Sequence, residues 1–134
     1  MVLGVGVDIL NTARLNENSL RPGDAFLKAV YSPGEIAEAA ARPDPHAYFA
    51  GRFCAKEAVF KSLGIGGEHV GLREIEILSD ETGRPFVRLG GEIAFAAARR
   101  GIEEVLVSLS HDGDFAQAFA LAQGSGAPGG KETI

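Results

Sequence analysis

The chain has 134 residues, 46% of them apolar and 23% charged, with a net charge of −5. That length suits one compact domain with its own core, and the acidic balance speaks against a general nucleic-acid binder, which would carry a basic excess. No apolar run is long enough to span a bilayer, and Met1-Val2-Leu3-Gly4 lacks the basic region and cleavage site of a signal peptide. With Cys54 as the single cysteine, an intrachain disulfide and a multi-thiolate metal site are both excluded. The expected location is the cytoplasm. A local basic pocket for one phosphorylated ligand remains open.

Residues 2–10 alternate. Leu3, Val5, Val7 and Ile9 share one face of a strand; Gly4, Gly6 and Asp8 share the other, which is nearly stripped of side chains. Asn11 or Thr12 can cap a short helix through Arg14 and Leu15. A second helix is expected over Asp24–Val30. A third begins at Ser32-Pro33, with Glu35 placed for a capping box, and stops before Arg42-Pro43. Asp44-Pro45 opens a long helix that Gly64 closes.

A glycine-rich link over 64–71 leads to strands at 73–79 and 85–89, with Asp80-Glu81-Thr82-Gly83 as the turn. An alanine-rich helix covers 91–100. Val105–Ser110 and Phe115–Leu121 read as strands joined across Asp112-Gly113. Residues 124–134 lack periodicity and are expected to form a flexible tail behind a domain over 1–123. The element order predicts an α+β fold, a largely antiparallel sheet packed on one long helix.

On a helical wheel with Phe49 at zero, Phe53 lies at about +40°, Phe60 at about +20° and Leu63 at about −40°, with Lys56 at about −20° inside this apolar stripe. Glu57 and Lys61 lie together on one flank, in line with Ala50 and Cys54; Arg52 lies on the other. The ordinary reading of Glu57 and Lys61 is a weak i,i+4 surface pair. Lys56 is expected to snorkel, with its stem on the aromatics and its ammonium in water. Arg52 reads as a solvated arginine and Cys54 as a small core residue. Together, these groups also suit a Mg²⁺-bound polyphosphate, which needs carboxylates on the metal and cations on the phosphates. Asp8, at the end of a strand whose face is otherwise Gly4 and Gly6, with room for something to approach, would be one carboxylate and Glu57 the other; alone, Asp8 reads as a turn or helix cap. His111, at the end of a strand, reads most simply as a structural histidine. His46 and His69 have no partners at zinc-ligand spacing, and Gly4-x-Gly6 lacks the third glycine of a dinucleotide fingerprint.

GVGVDI at residues 4–9, F-x-x-K-E-A-x-x-K from Phe53 to Lys61, Gly83-Arg84-Pro85 and SLSHD at 108–112 occur in that order. The combination resembles the phosphopantetheinyl transferases of the holo-(acyl-carrier-protein) synthase type, over about residues 2–122. The resemblance implies transfer of the 4'-phosphopantetheine arm of coenzyme A to a serine of an apo acyl carrier protein, with Mg²⁺, releasing adenosine 3',5'-bisphosphate. It implies that Asp8 and Glu57 hold the metal, Lys61 contacts the pyrophosphate, Arg52 and His111 lie by the 3'-phosphate, and Gly64, Arg84 and Pro85 lie by the nucleotide. Lys56 is a further candidate near the phosphates or the attacking serine, and Glu57, or a water it orients, is the implied proton acceptor. A homotrimer with sites between the Asp8/Glu57 side of one subunit and the Arg84/His111 side of the next is also implied. The chain departs from the family at Gly64-Ile65-Gly66, where Gly-Thr-Gly is common, and at Cys54.

An acidic carrier needs a local positive face. Arg14, Arg21 and Lys28, with Phe26 as an apolar anchor, are the candidates, although Glu17 and Asp24 interleave with them. No membrane or nucleic-acid partner is expected. Two other functions fit the same residues less fully: a coenzyme A or nucleotide-binding module without turnover, and a purely structural subunit.

Overall fold

Residues 1–67 and 71–126 are described by the computed structural model. The chain opens with β1 (Val2–Asn11). Two 3-10 turns follow, Thr12–Arg14 and Glu17–Leu20, each opened by an asparagine whose side chain accepts a backbone N–H two residues on. The sequence pattern does not signal the second. Next come α1 (Ala25–Val30), capped by Asp24, and α2 (Pro33–Ala40), where Ser32 and Glu35 close a full capping box. α3 (Pro45–Leu63) starts under the Asp44 side chain and ends at Gly64, whose φ of 66° only glycine adopts freely.

A 3-10 turn, Leu72–Glu74, takes the first residues of the expected strand at 73–79, so β2 is Ile75–Ser79. It is followed by β3 (Pro85–Leu89), α4 (Gly91–Arg99), β4 (Ile102–Asp112) and β5 (Phe115–Gly124). Asp112 already pairs with Phe115, so the hairpin turn is Gly113-Asp114, one residue later than expected. Gly124 belongs to β5 rather than to a tail: its carbonyl accepts the Met1 ammonium at 2.9 Å and its N–H reaches the Met1 carbonyl at 3.0 Å. His69 and the tail residues 127–134 lie outside the described residues.

The fold is α+β, as expected. β1, β5 and β4 form an antiparallel sheet in that order, and β2 and β3 form a separate antiparallel hairpin. α3 packs on the sheet and on β2. The faces of β1 are used in the reverse of what their side chains suggest. A Cβ on Gly4 would collide with the Ser62 carbonyl of α3, and one on Gly6 with that of Ala58. The bare face therefore admits the helix backbone, not a ligand. Opposite it, Ala116, Ala118, Ala120 and Ala122 of β5 continue the same low surface and are all buried. The outer face keeps Val5, Val7 and Ile9 at least half exposed, beside Phe115, Phe119 and Leu106.

α3 is buried on almost every side, including at Lys56, which is fully enclosed. Lys56 does not snorkel. Its ammonium meets Glu35 at 2.7 Å and donates to the Leu72 and Ile75 carbonyls at 2.9 and 2.6 Å. Glu35 is equally buried and accepts the Ser32 and Ile77 N–H groups at 2.8 and 2.7 Å. Burial pulls the Lys56 pKa down, and the Glu35 carboxylate works against that shift. The ammonium also lies 5.6 Å from the centroid of the Tyr31 ring. Removing one charge strands the other in a medium of low polarity. Lys56→Met should therefore cost about 3–5 kcal/mol in urea unfolding, and Glu35→Gln combined with Lys56→Met should recover part of it.

Candidate active site

Asp8 lies inside β1, which continues to Asn11, and Asn11 rather than Asp8 caps the following turn. The cap reading of Asp8 is thus replaced. The Asp8 side chain is met by Lys61 Nζ at 3.3 Å, and the same ammonium donates to the Val7 carbonyl at 3.0 Å. Lys61 reaches from α3 across to β1 instead of forming the expected i,i+4 pair. Glu57, one turn earlier on the same flank, is half-buried. Burial and then the Asp8 charge push its carboxyl pKa up, while Lys61 opposes the shift. Two carboxylates from different elements and one cation therefore share a corner. Below them the Cys54 thiol donates to the Asp8 carbonyl at 3.1 Å; it is buried, and its pKa is pushed up to about 12, first by burial and then by Asp8. It is a core group that braces β1, not a nucleophile.

Among the described residues no group of three or more His, Cys, Asp or Glu is placed to hold a metal. Asp8 and Glu57 are two hard oxygen donors. That set suits Mg²⁺, which is commonly held by one or two carboxylates and completed by substrate phosphates and water.

The second cluster gathers at the N-terminal half of α3. Arg52, Arg42, Tyr48 and His111 line a shallow cleft of about 310 Å³. His111 is exposed but lies over Gly51, where an added Cβ would come within 2.9 Å of its ring. Arg52 is not a solvated arginine. Its Nε donates to the Ile77 carbonyl at 3.0 Å and its Nη2 to Ser79 Oγ at 2.7 Å, and its guanidinium stacks 4.5 Å above the Tyr48 ring. Glu38 holds the group together. Its Oε1 takes the Tyr48 hydroxyl at 2.8 Å and faces Arg52 and Arg42 at 3.4 and 3.7 Å, and its Oε2 takes the Ser79 N–H at 2.8 Å. Sequence reasoning missed Arg42 and Glu38. The i,i+4 spacing of Glu38 and Arg42 was readable, but its place beside Arg52 was not.

Arg84 is exposed at the tip of the β2–β3 hairpin, where its backbone closes the turn with Asp80. Pro85 opens β3 opposite Ser79, the residue that Arg52 and Arg42 both contact. Pro85 is thus paired with a residue of the Arg52 cluster and Arg84 precedes it at the hairpin tip, while Gly64 lies beyond Lys61 at the other end of α3. Lys56 belongs to neither: all three of its ammonium hydrogens are directed at Glu35, Leu72 and Ile75. Arg14, Arg21 and Lys28 are exposed. Phe26 is less available than an apolar anchor should be, since its ring stacks on Phe53 at 6.2 Å and meets Tyr31 edge-on at 6.4 Å.

Burial works to raise the Glu38 carboxyl, but the Ser79 N–H, the Tyr48 hydroxyl, Arg52 and Arg42 together hold it below the usual range. A depressed carboxyl stabilises the fold fully above its unfolded pKa, and that contribution drains away as pH falls through the folded value. Thermal melts on the acid side of pH 4.5 should therefore fall more steeply for the wild type than for Glu38→Gln.

Residues 4–120 match the family model described as the 4'-phosphopantetheinyl transferase superfamily. A holo-(acyl-carrier-protein) synthase of Desulforudis audaxviator is 45% identical over 124 residues, 92% of this chain and 95% of that protein. The ACPS–CoA complex of Chronobacterium ammoniagenes superposes with a TM-score of 0.77 at 35% identity, covering 91% of this chain and 97% of that one. The holo-(acyl-carrier-protein) synthase of Neisseria meningitidis superposes with a TM-score of 0.80 at 34% identity, covering 92% and 99%.

Proposed function

The chain belongs to the 4'-phosphopantetheinyl transferase superfamily and is a phosphopantetheinyl transferase of the holo-(acyl-carrier-protein) synthase type, and we propose that it moves the 4'-phosphopantetheine arm of coenzyme A onto a serine of an apo acyl carrier protein at the Asp8–Glu57–Lys61 corner. The observation that carries the assignment to this corner is the convergence of Asp8 from β1 with Glu57 and Lys61 from α3, close enough for the Asp8 charge to raise Glu57 and for Lys61 to touch Asp8. The reaction is expected to need Mg²⁺, release adenosine 3',5'-bisphosphate and run in the cytoplasm.

In the proposed reaction the serine oxygen bonds to the β-phosphorus of coenzyme A. The bond from that phosphorus to the bridging oxygen breaks, and adenosine 3',5'-bisphosphate leaves with the electron pair. Mg²⁺ held by Asp8 and Glu57 would offset the charge on the phosphoryl oxygens. Lys61 exchanges Asp8 for a pyrophosphate oxygen, a move its half-exposed side chain permits. Glu57, or a water it orients, accepts the serine proton. Arg52 and His111, with Arg42 beside them, take the 3'-phosphate, and Arg84 and Pro85 border the nucleotide.

The two clusters lie at different parts of α3, and each has its own partners among the described residues. That arrangement supports a ligand shared between copies, with the Asp8 corner of one subunit facing the Arg52/His111 cleft of the next. The outer sheet face supports the same reading. Val7, Phe119 and Ser108 stand in one cross-strand row, and Val7 and Phe119 are 50% and 47% exposed. An apolar surface of this kind is covered by association. We infer a homotrimer. Phe119→Lys should yield monomers by light scattering and lose turnover together with assembly. A folded, fully active trimer in that variant would remove the outer sheet face from the interface.

Arg14, Arg21 and Lys28 are the proposed contacts for an acidic carrier. The test of function is mass spectrometry of an apo acyl carrier protein incubated with the protein, coenzyme A and Mg²⁺. A gain of one phosphopantetheine, abolished by EDTA and reduced by about 10²-fold or more in Glu57→Ala, is expected. Coenzyme A binding without transfer to any of several carriers would select the binding-module reading instead.

A further inference from the structure

Two cations outside the proposed chemistry direct their charge at backbone carbonyls. Lys56 Nζ donates to the Leu72 and Ile75 carbonyls, and Arg100 Nη1 donates to the Gly64 carbonyl at 3.1 Å. Gly64 is where the chain leaves α3; Leu72 is where it turns toward β2. The two cations therefore hold the chain at the start of the glycine-rich link and just past its end.

Gly64 sits in a left-handed conformation against the arginine, with a built Cβ only 3.1 Å from the guanidinium carbon. A carbonyl beyond the last helical turn has no partner within the helix, and a cation placed there meets both its lone pair and the negative end of the helix. Arg100 stands at the C-terminal cap of α4. The other end of α4 is tied to the opposite end of the link: Glu74 Oε1 accepts the Ile93 N–H at 3.2 Å, and the Glu74 carbonyl accepts the Gly90 N–H at 2.9 Å. α4 is thus a strut whose first turn is fastened to the turn before β2 and whose C-terminal cap is fastened to the end of α3. Lys56, anchored by Glu35 below, completes the frame from inside the core.

We propose that Lys56 and Arg100 are positioning residues for the coenzyme end of the site, fixing Gly64, and with it the last turn of α3 that carries Lys61, relative to the turn that opens β2. The proposal rests on the transferase reading above. Neither side chain touches the reacting atoms; each acts through the backbone it holds. Loss of either clamp acts on substrate binding ahead of chemistry.

Arg100 is exposed, so Arg100→Ala is expected to fold. Its KM for coenzyme A should rise about fivefold to tenfold with kcat nearly unchanged, the scale of one lost charge-assisted hydrogen bond, and Arg100→Lys should restore part of the loss. Hydrogen exchange should quicken in peptides spanning 61–67 and stay unchanged in β1 and β5. Lys56→Met, assayed below its lowered melting temperature, should show the same KM shift per folded molecule and faster exchange at 71–75. Unchanged KM, or a fall confined to kcat or to the folded fraction, would overturn the proposal, as would unchanged exchange at those segments. If the wild-type protein produces no holo carrier, the transferase reading falls, and the exchange data alone decide whether the clamp exists.

Discussion

The Glu35–Lys56 pair is the constraint around which this molecule is arranged. Both groups are fully buried, and every strong hydrogen-bonding direction of the lysine is occupied. The pair joins the N-terminal cap of α2, the middle of α3, the turn before β2 and the N–H of Ile77 within β2. An apolar contact could fill the same volume, but it would not fix four backbone segments in one orientation. A buried charge pair is a weak source of net stability, because desolvation offsets most of the attraction. What it supplies here is geometry. Once Lys56 is pinned, the rotation of α3 about its axis is set, and Glu57 and Lys61 must emerge on the β1 side.

The sheet meets that helix with a surface of glycine and alanine. Gly4 and Gly6 on β1 and the buried alanines of β5 let the backbones approach closely enough that side chains on the helix carry the packing. This displaces the larger side chains of β1 and β5 to the outer face, where they stay exposed in a single copy of the chain. Close helix packing and an unsatisfied outer surface have the same origin in the two-residue period of a strand. The proposed assembly rests on it: another copy would cover the large residues that a fold turning its small ones inward leaves outside.

Electrostatics follows a related pattern. The chain is acidic overall, yet the three cations proposed to meet phosphates, Lys61, Arg52 and Arg42, already face acids. Lys61 faces Asp8, and Arg52 and Arg42 face Glu38. Such pairing holds the side chains in place before a phosphate arrives, and it keeps isolated positive charge from collecting where no ligand is bound. Glu38 differs from Asp8 in that its carboxylate is also fixed by the Tyr48 hydroxyl and the Ser79 N–H. The Arg52/Arg42 cleft is therefore the more rigid of the two clusters, and the Lys61 corner the more adaptable.

Much of this was legible in the sequence because it depends on local rules. The caps at Asp44, Ser32 and Gly64, the β3 boundaries and the two glycines of β1 announce themselves through residue chemistry within a turn or a strand. The four ordered motifs also specified the family. The wheel placed Lys56 in the apolar stripe, but nothing within one helical turn could show that its counter-ion was the capping-box glutamate 21 positions earlier. For the same reason Arg52 read as a surface residue, and Glu57 and Lys61 read as a pair. Each error assigned a local partner, or none, to a group whose partner lies on another element. The sequence by itself determined which residues cap, turn, alternate and carry charge, since those preferences act over a few residues. Only the tertiary structure decided which charges meet, because burial and the path of the chain bring together groups that sequence distance keeps apart.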